Sequence, residues 1–261
     1  DNKIWVMGGF AGFIDENDVW SSSNGISWAK RADDKWPTRY AHTSVVFKDP
    51  SDNINKIWVM GGMHWQEWPE GPPSWVEKKD IWSSPDGVTW TSRGNALWSA
   101  RYAHTSVVFN DGTGDKIWVM GGYDGTNDLN DIWSFDGTSW AGPFTAPWSA
   151  RSGHTSVVFD NKIWVLGGFY GDNEVWYSED GVDWKQVDTN LYVWSARSGH
   201  TSVVFDNKIW VMGGSSGGNE VWYSTLVSNV SGWAWSENIG WISFNCKNSE
   251  LIPPGCTENC L

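Results

Sequence analysis

Histidine and arginine recur at fixed places in this sequence, so their spacing tests whether they could do chemistry. Four of the five histidines begin the same motif, HTSVVF, and an arginine stands three residues before each of them. A catalytic histidine is needed once, so four copies in register favour a structural, hydrogen-bonding role. The histidines are His42, His104, His154 and His200, and the arginines are Arg39, Arg101, Arg151 and Arg197.

The histidine motif belongs to a longer repeat that predicts the elements around it. KIWVMGG or KIWVLGG occurs five times, with tryptophan spacings of 53, 60, 46 and 46 residues. A motif such as NDVWSS follows each copy, and a DGxxW or NGxxW motif follows in four cases. Runs of β-branched and aromatic residues bounded by Gly, Asn, Asp or Ser are typical of strands that end in tight turns. Each repeat therefore predicts a four-stranded antiparallel meander, with strands a (HTSVVF), b (KIWVMGG), c (DVWSS) and d (around DGxxW).

Strand b predicts how the meanders pack together. It is apolar at successive positions, so both of its faces must be covered. Radial packing of equivalent sheets around an axis covers both faces, which predicts an all-β fold, a β-propeller of five four-stranded antiparallel blades.

The ends of the sequence bear on how this ring closes. Strands b and c occur five times, but strands a and d occur four times. We expect residues 231–236 to form strand d of blade 5 and residues 240–245 to form strand a of blade 1, where they would pair with residues 3–7 and close the ring. The propeller would then span residues 1–245, followed by a cysteine-containing tail over residues 246–261. The alternative is a piece of a longer propeller, with the tail packed elsewhere.

The motifs GHTSVVF and KIWVMGG, with the double glycine that ends strand b, resemble the kelch repeat, which also occurs in the propeller of galactose oxidase. The resemblance covers residues 1 to about 225. In kelch-like propellers an arginine just before strand a often braces neighbouring blades. The alternative is that these arginines bind a ligand together with the tryptophans three residues before them. Those tryptophans are Trp36, Trp98, Trp148 and Trp194.

The b–c loop of blade 2 is the strongest candidate for a binding site. Successive strands of a blade alternate in direction, so the b–c and d–a loops share one face. The insertion from Met63 to Lys79 contains aromatic residues outside the repeat, which indicate either a flap that stacks on a sugar, a Pro-rich peptide or an apolar surface, or side chains folded down over the propeller. The candidate residues in this insertion are His64, Trp65, Trp68 and Trp75.

Several classes of function are excluded or disfavoured. A formal net charge of -13 disfavours nucleic acid, and no apolar run is long enough to span a membrane. The sequence contains no GxSxG or HExxH motif, and one histidine outside the repeat is too few for the copper site of galactose oxidase. The acidic loop YDGTNDLND lacks the EF-hand spacing for Ca²⁺. We therefore expect no catalysis, no metal and no cofactor.

These observations predict a non-catalytic recognition module that binds a protein or peptide partner through the face of the b–c and d–a loops. Two alternatives remain: a carbohydrate-binding propeller, and a structural subunit of a surface assembly. In the second alternative an intermolecular link would use Cys246, Cys256 or Cys260. An extracellular or cell-surface location is the corresponding expectation.

Overall fold

The computed structural model describes residues 3–12, 14–32, 35–67, 72, 74–169, 173–187, 194–215, 219–226 and 239–243. Within these ranges every regular element is a β-strand. The strands form five antiparallel blades and one separate two-stranded hairpin, so the predicted all-β propeller is confirmed. No helix in the described ranges is long and apolar enough to cross a membrane.

Blades 1 and 2 come from the N-terminal part of the chain, and the separate hairpin is inserted into blade 2. Blade 1 consists of β1 (Ile4–Ala11), β2 (Ile14–Ser22) and β3 (Ala29–Ala32). Blade 2 consists of β4 (Thr43–Asp49), β5 (Ile54–Met60), β8 (Asp80–Ser84) and β9 (Thr91–Asn95). The hairpin between β5 and β8 consists of β6 (Met63–Gln66) and β7 (Ser74–Glu77).

Blades 3, 4 and 5 each contain four strands in the order a-b-c-d. Blade 3 consists of β10 (Thr105–Asn110), β11 (Asp115–Tyr123), β12 (Asp128–Phe135) and β13 (Trp140–Thr145). Blade 4 consists of β14 (Thr155–Phe159), β15 (Lys162–Leu166), β16 (Val175–Ser178) and β17 (Trp184–Gln186). Blade 5 consists of β18 (Thr201–Phe205), β19 (Lys208–Met212), β20 (Val221–Leu226) and β21 (Ile239–Ser243).

Strands b and c pair in the same register in all five blades, which is why the repeat predicted the fold correctly. In every blade the central valine of strand b lies opposite the tryptophan of strand c. The pairs are Val6 with Trp20, Val59 with Trp82, Val119 with Trp133, Val165 with Trp176, and Val211 with Trp222.

The valine of strand b shows whether a blade has a neighbour on the face where this side chain lies. Val59 in blade 2 is 0% exposed, as are its equivalents in blades 3 to 5, whereas Val6 in blade 1 is 48% exposed. At the other end of the array, Phe205 in strand a of blade 5 is 69% exposed, whereas the equivalent Phe159 of blade 4 is 6% exposed. Among the described residues, blade 1 has no strand a and no strand of blade 5 contacts blade 1.

The expected position of the last strand is wrong. β21 pairs antiparallel with β20, Trp222 lying opposite Ser243 and Ser224 opposite Trp241, so it is strand d of blade 5. Residues 240–245 were expected to be strand a of blade 1 beside residues 3–7. Pairing with the free edge of β20 closes a short local loop and costs less chain entropy than a crossing to blade 1. Residues 231–236, expected to be strand d, and the tail over residues 246–261 lie outside the described residues.

The Asp-Gly turns between strands c and d have the conformation that the sequence predicts. Gly87 has a φ of 72°, which favours glycine. The Asp86 carboxylate accepts hydrogen bonds from the backbone N–H groups of Val88 at 2.8 Å and Thr89 at 2.7 Å. These turns lie at the end of the blades opposite the b–c and d–a loops.

Candidate functional site

The arginines before strand a each join two consecutive blades. Arg101 is bonded to blade 2 through its backbone: its N–H donates to the Lys78 carbonyl at 2.9 Å, and its carbonyl accepts from the Gly62 N–H at 2.8 Å. Its guanidinium binds blade 3, donating to both carboxylate oxygens of Asp131 at 2.6 and 2.7 Å and to the Gly121 carbonyl at 2.9 Å. Such two-point bonds fix geometry as well as charge.

The other three arginines bind equivalent partners, so the arrangement follows the repeat. Each guanidinium binds a carboxylate of strand c, or of the residue just before it, in the following blade. The pairs are Arg39 with Asp80, Arg151 with Glu174, and Arg197 with Glu220. We call these four ion pairs the arginine latches.

The tryptophans of the d–a loops are buried together with the arginine latches. Arg39, Arg101 and Arg197 lie over the rings of Trp36, Trp98 and Trp194, with distances of 5.2, 5.3 and 5.5 Å from Cζ to the ring centroid. All four tryptophans, including Trp148, and all four arginines are buried. None of these eight side chains offers a surface to a ligand, and their placement favours the bracing interpretation over the ligand-binding one.

The electrostatics of the latches are consistent with permanently charged pairs. Burial by itself would raise the pKa of Asp131, but the hydrogen bonds and charge of Arg101 outweigh it and lower that pKa. The same balance, with Arg39 as the partner, lowers the pKa of Asp80. Both carboxylates are therefore ionised at neutral pH.

The histidines that begin strand a link neighbouring blades around the central axis. His104 Nε2 of blade 3 is hydrogen-bonded to Thr43 Oγ1 of blade 2 at 3.1 Å. Equivalent bonds join His154 to Thr105 at 3.2 Å and His200 to Thr155 at 2.9 Å. Burial, followed by the charge of the arginine nearby, lowers the pKa of His42 and His154 to about 3 and that of His200 to about 4. These histidines are neutral at pH 7, and their contacts agree with the expected structural role.

At the central axis of the propeller, strand a residues line an open depression of about 230 Å³. Its lining consists of His104 and hydroxyl side chains of strand a, namely Thr43, Ser44, Thr105, Ser106, Thr155, Ser156, Thr201 and Ser202. This lining has no carboxylate, ammonium or guanidinium group. No group of His, Cys, Asp or Glu in the described part of the chain is placed to hold a metal ion.

The insertion in blade 2 forms a hairpin over the face of the b–c and d–a loops. Trp65 and Trp75 are directly opposite each other across β6 and β7, and His64 lies on the other side of the ribbon, bonded to the Val76 carbonyl and to Gln66 Oε1. Trp65 is 40% exposed and Trp75 is 39% exposed. The predicted flap thus keeps two of its tryptophans at the surface, while Trp68 lies outside the described residues.

Two residues that the sequence analysis did not select complete an aromatic surface around Trp75. The ring centroid of Trp75 is 4.8 Å from that of Trp65, 5.3 Å from that of Tyr40 and 6.0 Å from that of Phe10. Phe10 and Tyr40 are 5.2 Å apart, and Phe10 is 48% exposed. We call these four residues, Phe10, Tyr40, Trp65 and Trp75, the aromatic patch.

Backbone contacts hold the aromatic patch in place. Tyr40 and Met63 exchange backbone hydrogen bonds, each 3.0 Å long, which fixes the base of the hairpin to the d–a loop. The backbone N–H of Trp65 donates to the carboxylate of Asp15, opposite Phe10 in blade 1. The hairpin is therefore attached to blades 1 and 2, and the patch is positioned by regular strands as well as by loops.

A sequence signal for Tyr40 and Phe10 existed but was weak. The position of Tyr40 is occupied by Tyr102, Ser152 and Ser198 in the following blades, and Phe10 follows the double glycine where blade 5 has Ser215. Variation at a fixed place in the repeat was the signal. It did not indicate that Phe10 and Tyr40 meet, because their contact depends on how blades 1 and 2 pack.

The repeated four-stranded blades, the double glycines and the arginine latches define a kelch-type β-propeller. The chain belongs to the family of the KLHDC2/KLHL20/DRC7 Kelch-repeats domain, whose family model matches residues 78–239. Among solved structures, the one titled "Structure of YjhT" is similar, with a TM-score of 0.67 and 16% sequence identity over 93% of this chain and 81% of that chain. At this identity the likeness shows the fold alone. No curated protein matches the chain.

Proposed function

We propose that this kelch-repeat propeller binds a protein or peptide partner through the face of the b–c and d–a loops, with the aromatic patch at the centre of the contact. Kelch-repeat propellers are typically protein-interaction modules. The observation that carries the proposal is the exposure of Phe10, Trp65 and Trp75 on one continuous surface. Large rings of this kind dominate the binding energy of protein interfaces.

The contrast with the other tryptophans of the molecule supports this assignment. The tryptophans of the d–a loops are buried between blades, whereas those of the hairpin are outside the repeat and about two-fifths exposed. A hairpin whose only role was to cover the propeller would bury its rings. Exposure of these apolar rings to water is unfavourable, and a partner that covers them would gain the free energy of their burial.

A protein partner fits the patch better than a carbohydrate. Sugar recognition needs polar side chains that bind hydroxyl groups beside an aromatic ring. The Asp15 carboxylate is buried and already accepts the Trp65 N–H, and both ring nitrogens of His64 are bonded within the hairpin. A carbohydrate ligand remains an outcome of the test.

Pull-down and glycan-array experiments with matched variants test the proposal. The double variant Trp65→Ala and Trp75→Ala removes the exposed rings. The control is Trp28→Ala, because Trp28 is also 39% exposed but lies in a c–d turn at the opposite end of the blades. Loss of a protein partner in the double variant alone supports the proposal. Partner binding that survives the double variant overturns it, and a glycan signal lost only in the double variant replaces it with the carbohydrate alternative.

A further inference from the structure

The surroundings of the aromatic patch are strongly acidic. Several carboxylates at the b–c end of blades 1 to 3 and on the hairpin have no described arginine partner, and the described lysines there are Lys35, Lys78 and Lys79. The carboxylates are Asp15, Glu16, Asp18, Glu67, Glu77, Asp124 and Asp128. The formal net charge of the whole chain has the same sign. A cationic partner is therefore attracted to this face.

Asp15 places a negative charge directly beneath the patch. Asp15 is 8% exposed. One carboxylate oxygen, Oδ2, accepts the Trp65 N–H, and the other, Oδ1, is buried without a hydrogen-bond partner among the described atoms. A buried carboxylate oxygen without a donor is poorly compensated, and its field is weakly screened. Burial chiefly, and then the charges of Asp15 and Tyr102, raise the pKa of Tyr40, so the field of Asp15 reaches the patch.

Lys78 offsets part of this field. Burial chiefly, and then the charge of Arg39, lower the pKa of Lys78, while Asp80 and Asp15 act in the opposite direction. Asp80 is already neutralised by the Arg39 latch. Glu77, two residues after Trp75 on β7 and thus on the same side of the ribbon, lies against Gly125 of blade 3, and no described cation pairs with it.

The rings themselves favour a cation. Tyr40 and Trp65 contact Trp75 at interplanar angles of 74° and 66°, so the ring edges meet and the faces point in several directions around Trp75. Aromatic faces carry the negative part of the ring quadrupole and attract guanidinium and ammonium groups. Guanidinium also stacks as a flat group on an aromatic face.

We propose that the aromatic patch binds an arginine side chain of an extended partner segment, with Asp15 and Glu77 as the counter-charges. The proposal rests on the proposed function and specifies the chemistry of its partner. The arginine would stack on the exposed rings of the patch. Asp15 would act through its field from below and Glu77 from the side of blade 3.

Titration with matched synthetic peptides tests the proposal. The probe is a short peptide that alternates arginine and serine, and its control contains citrulline, which has the same shape without the charge, in place of arginine. We expect the arginine peptide to bind, to shift the indole N–H resonances of Trp65 and Trp75, and to weaken as ionic strength rises. Equal affinity for the citrulline peptide, or no binding of the arginine peptide, would overturn the proposal.

Two variants separate the roles of ring and charge. Trp75→Leu keeps apolar volume but removes the aromatic face, and Asp15→Asn keeps an acceptor for the Trp65 N–H but removes the charge. We expect Trp75→Leu to weaken binding of the arginine peptide by about three- to thirtyfold, and Asp15→Asn to weaken it and reduce its salt dependence. The matched controls are Trp28→Leu and Asp206→Asn, at the other end of the blades.

The outcomes also distinguish this proposal from the proposed function. If the control variants reduce the affinity for the arginine peptide as much as Trp75→Leu and Asp15→Asn do, the arginine is bound elsewhere and the proposal is wrong. If a protein partner is lost in the Trp65 and Trp75 double variant but the citrulline peptide binds as well as the arginine peptide, the face binds a partner without selecting arginine. The proposed function then stands and this inference fails.

Discussion

Arg101 and Asp131 form a two-point ion pair of 2.6 and 2.7 Å in which the arginine side chain is fully buried. The backbone of Arg101 is hydrogen-bonded to blade 2, whereas Asp131 belongs to blade 3. The pair thus fixes the position of blade 3 relative to blade 2, and the other three latches connect their blades in the same way.

Removing the Arg101 guanidinium should destabilise the propeller strongly. Arg101→Met leaves the partly buried Asp131 charge without its partner, and we expect the free energy of unfolding to fall by about 3–5 kcal/mol. Arg101→Lys should recover part of this loss because it keeps the positive charge. The recovery should be incomplete because an ammonium cannot make the two-point contact. Urea unfolding measures both. As a control, Lys208→Gln breaks the exposed pair with Asp206 and should change stability by less than about 1 kcal/mol. A similar loss in both variants would contradict the bracing role.

Stability should fall with decreasing pH because the strand a histidines are neutral in the fold. The folded pKa of His154 is about 3, whereas the unfolded pKa is about 6.5. As pH falls below the unfolded value, the unfolded chain takes up a proton that the folded chain rejects, and stability is lost until the folded pKa is reached. Each such histidine contributes about 1.4 kcal/mol per pH unit within this window.

Urea unfolding between about pH 6.5 and pH 5, above the range where carboxylates titrate, isolates the contribution of histidine. His154→Gln should reduce the slope of stability against pH by about one proton. Thr105→Val removes the hydroxyl bonded to His154 but keeps the imidazole, so the slope should remain. An unchanged slope in His154→Gln would show that this histidine is not neutral in the fold.

Two glycines with the same φ should respond differently to alanine. Gly181 and Gly94 both have a φ of 81°, but a Cβ on Gly181 would lie 2.4 Å from the Trp118 ring, whereas a Cβ on Gly94 would meet nothing within 4 Å. Gly94→Ala should cost about 1–2 kcal/mol through backbone strain. Gly181→Ala should cost about 1–3 kcal/mol more through overpacking. Thermal unfolding measures the two losses of stability. Equal losses would mean that the Trp118 ring moves aside without a cost in free energy.

The same substitution in strand b should have different effects in blades 1 and 2. Val6 and Val59 occupy the same register position, but only Val59 is buried. Val59→Ala should cost about 2 kcal/mol or more, since it removes buried apolar surface and leaves a cavity. Val6→Ala should change stability by less than about 0.5 kcal/mol. A large loss in Val6→Ala would show that the face of blade 1 is covered in solution.

The sequence predicted the parts of the fold that repeat. The motifs that contain Val59 and Trp82 recur in every blade. The pairing of these two strands in one blade therefore predicts the same pairing in the other four. Strand β21 was misplaced because its sequence copies neither strand a nor strand d. Its composition is compatible with pairing at the free edge of either β1 or β20. The short connection along the chain favours β20, with which it pairs.

The site was only partly predictable for a related reason. Trp65 and Trp75 were identifiable because they lie outside the repeat. Phe10, Tyr40 and Asp15 occupy ordinary places at strand ends and in loops, and they become a site only when blades 1 and 2 pack. Conversely, Trp36 and Arg39 have residue types suited to binding, but burial between blades gives them a structural role.

The arginine latches all run in one direction, since each belongs to one blade by its backbone and to the next by its side chain. In the described part of the chain, blade 3 is coupled on both sides, whereas β1 and β18 present exposed apolar side chains at the two ends. Within the described residues, the couplings between blades therefore form a linear series from blade 1 to blade 5. Opening should start at these two ends, so in hydrogen exchange the amide protons of β11 should be the last to be replaced.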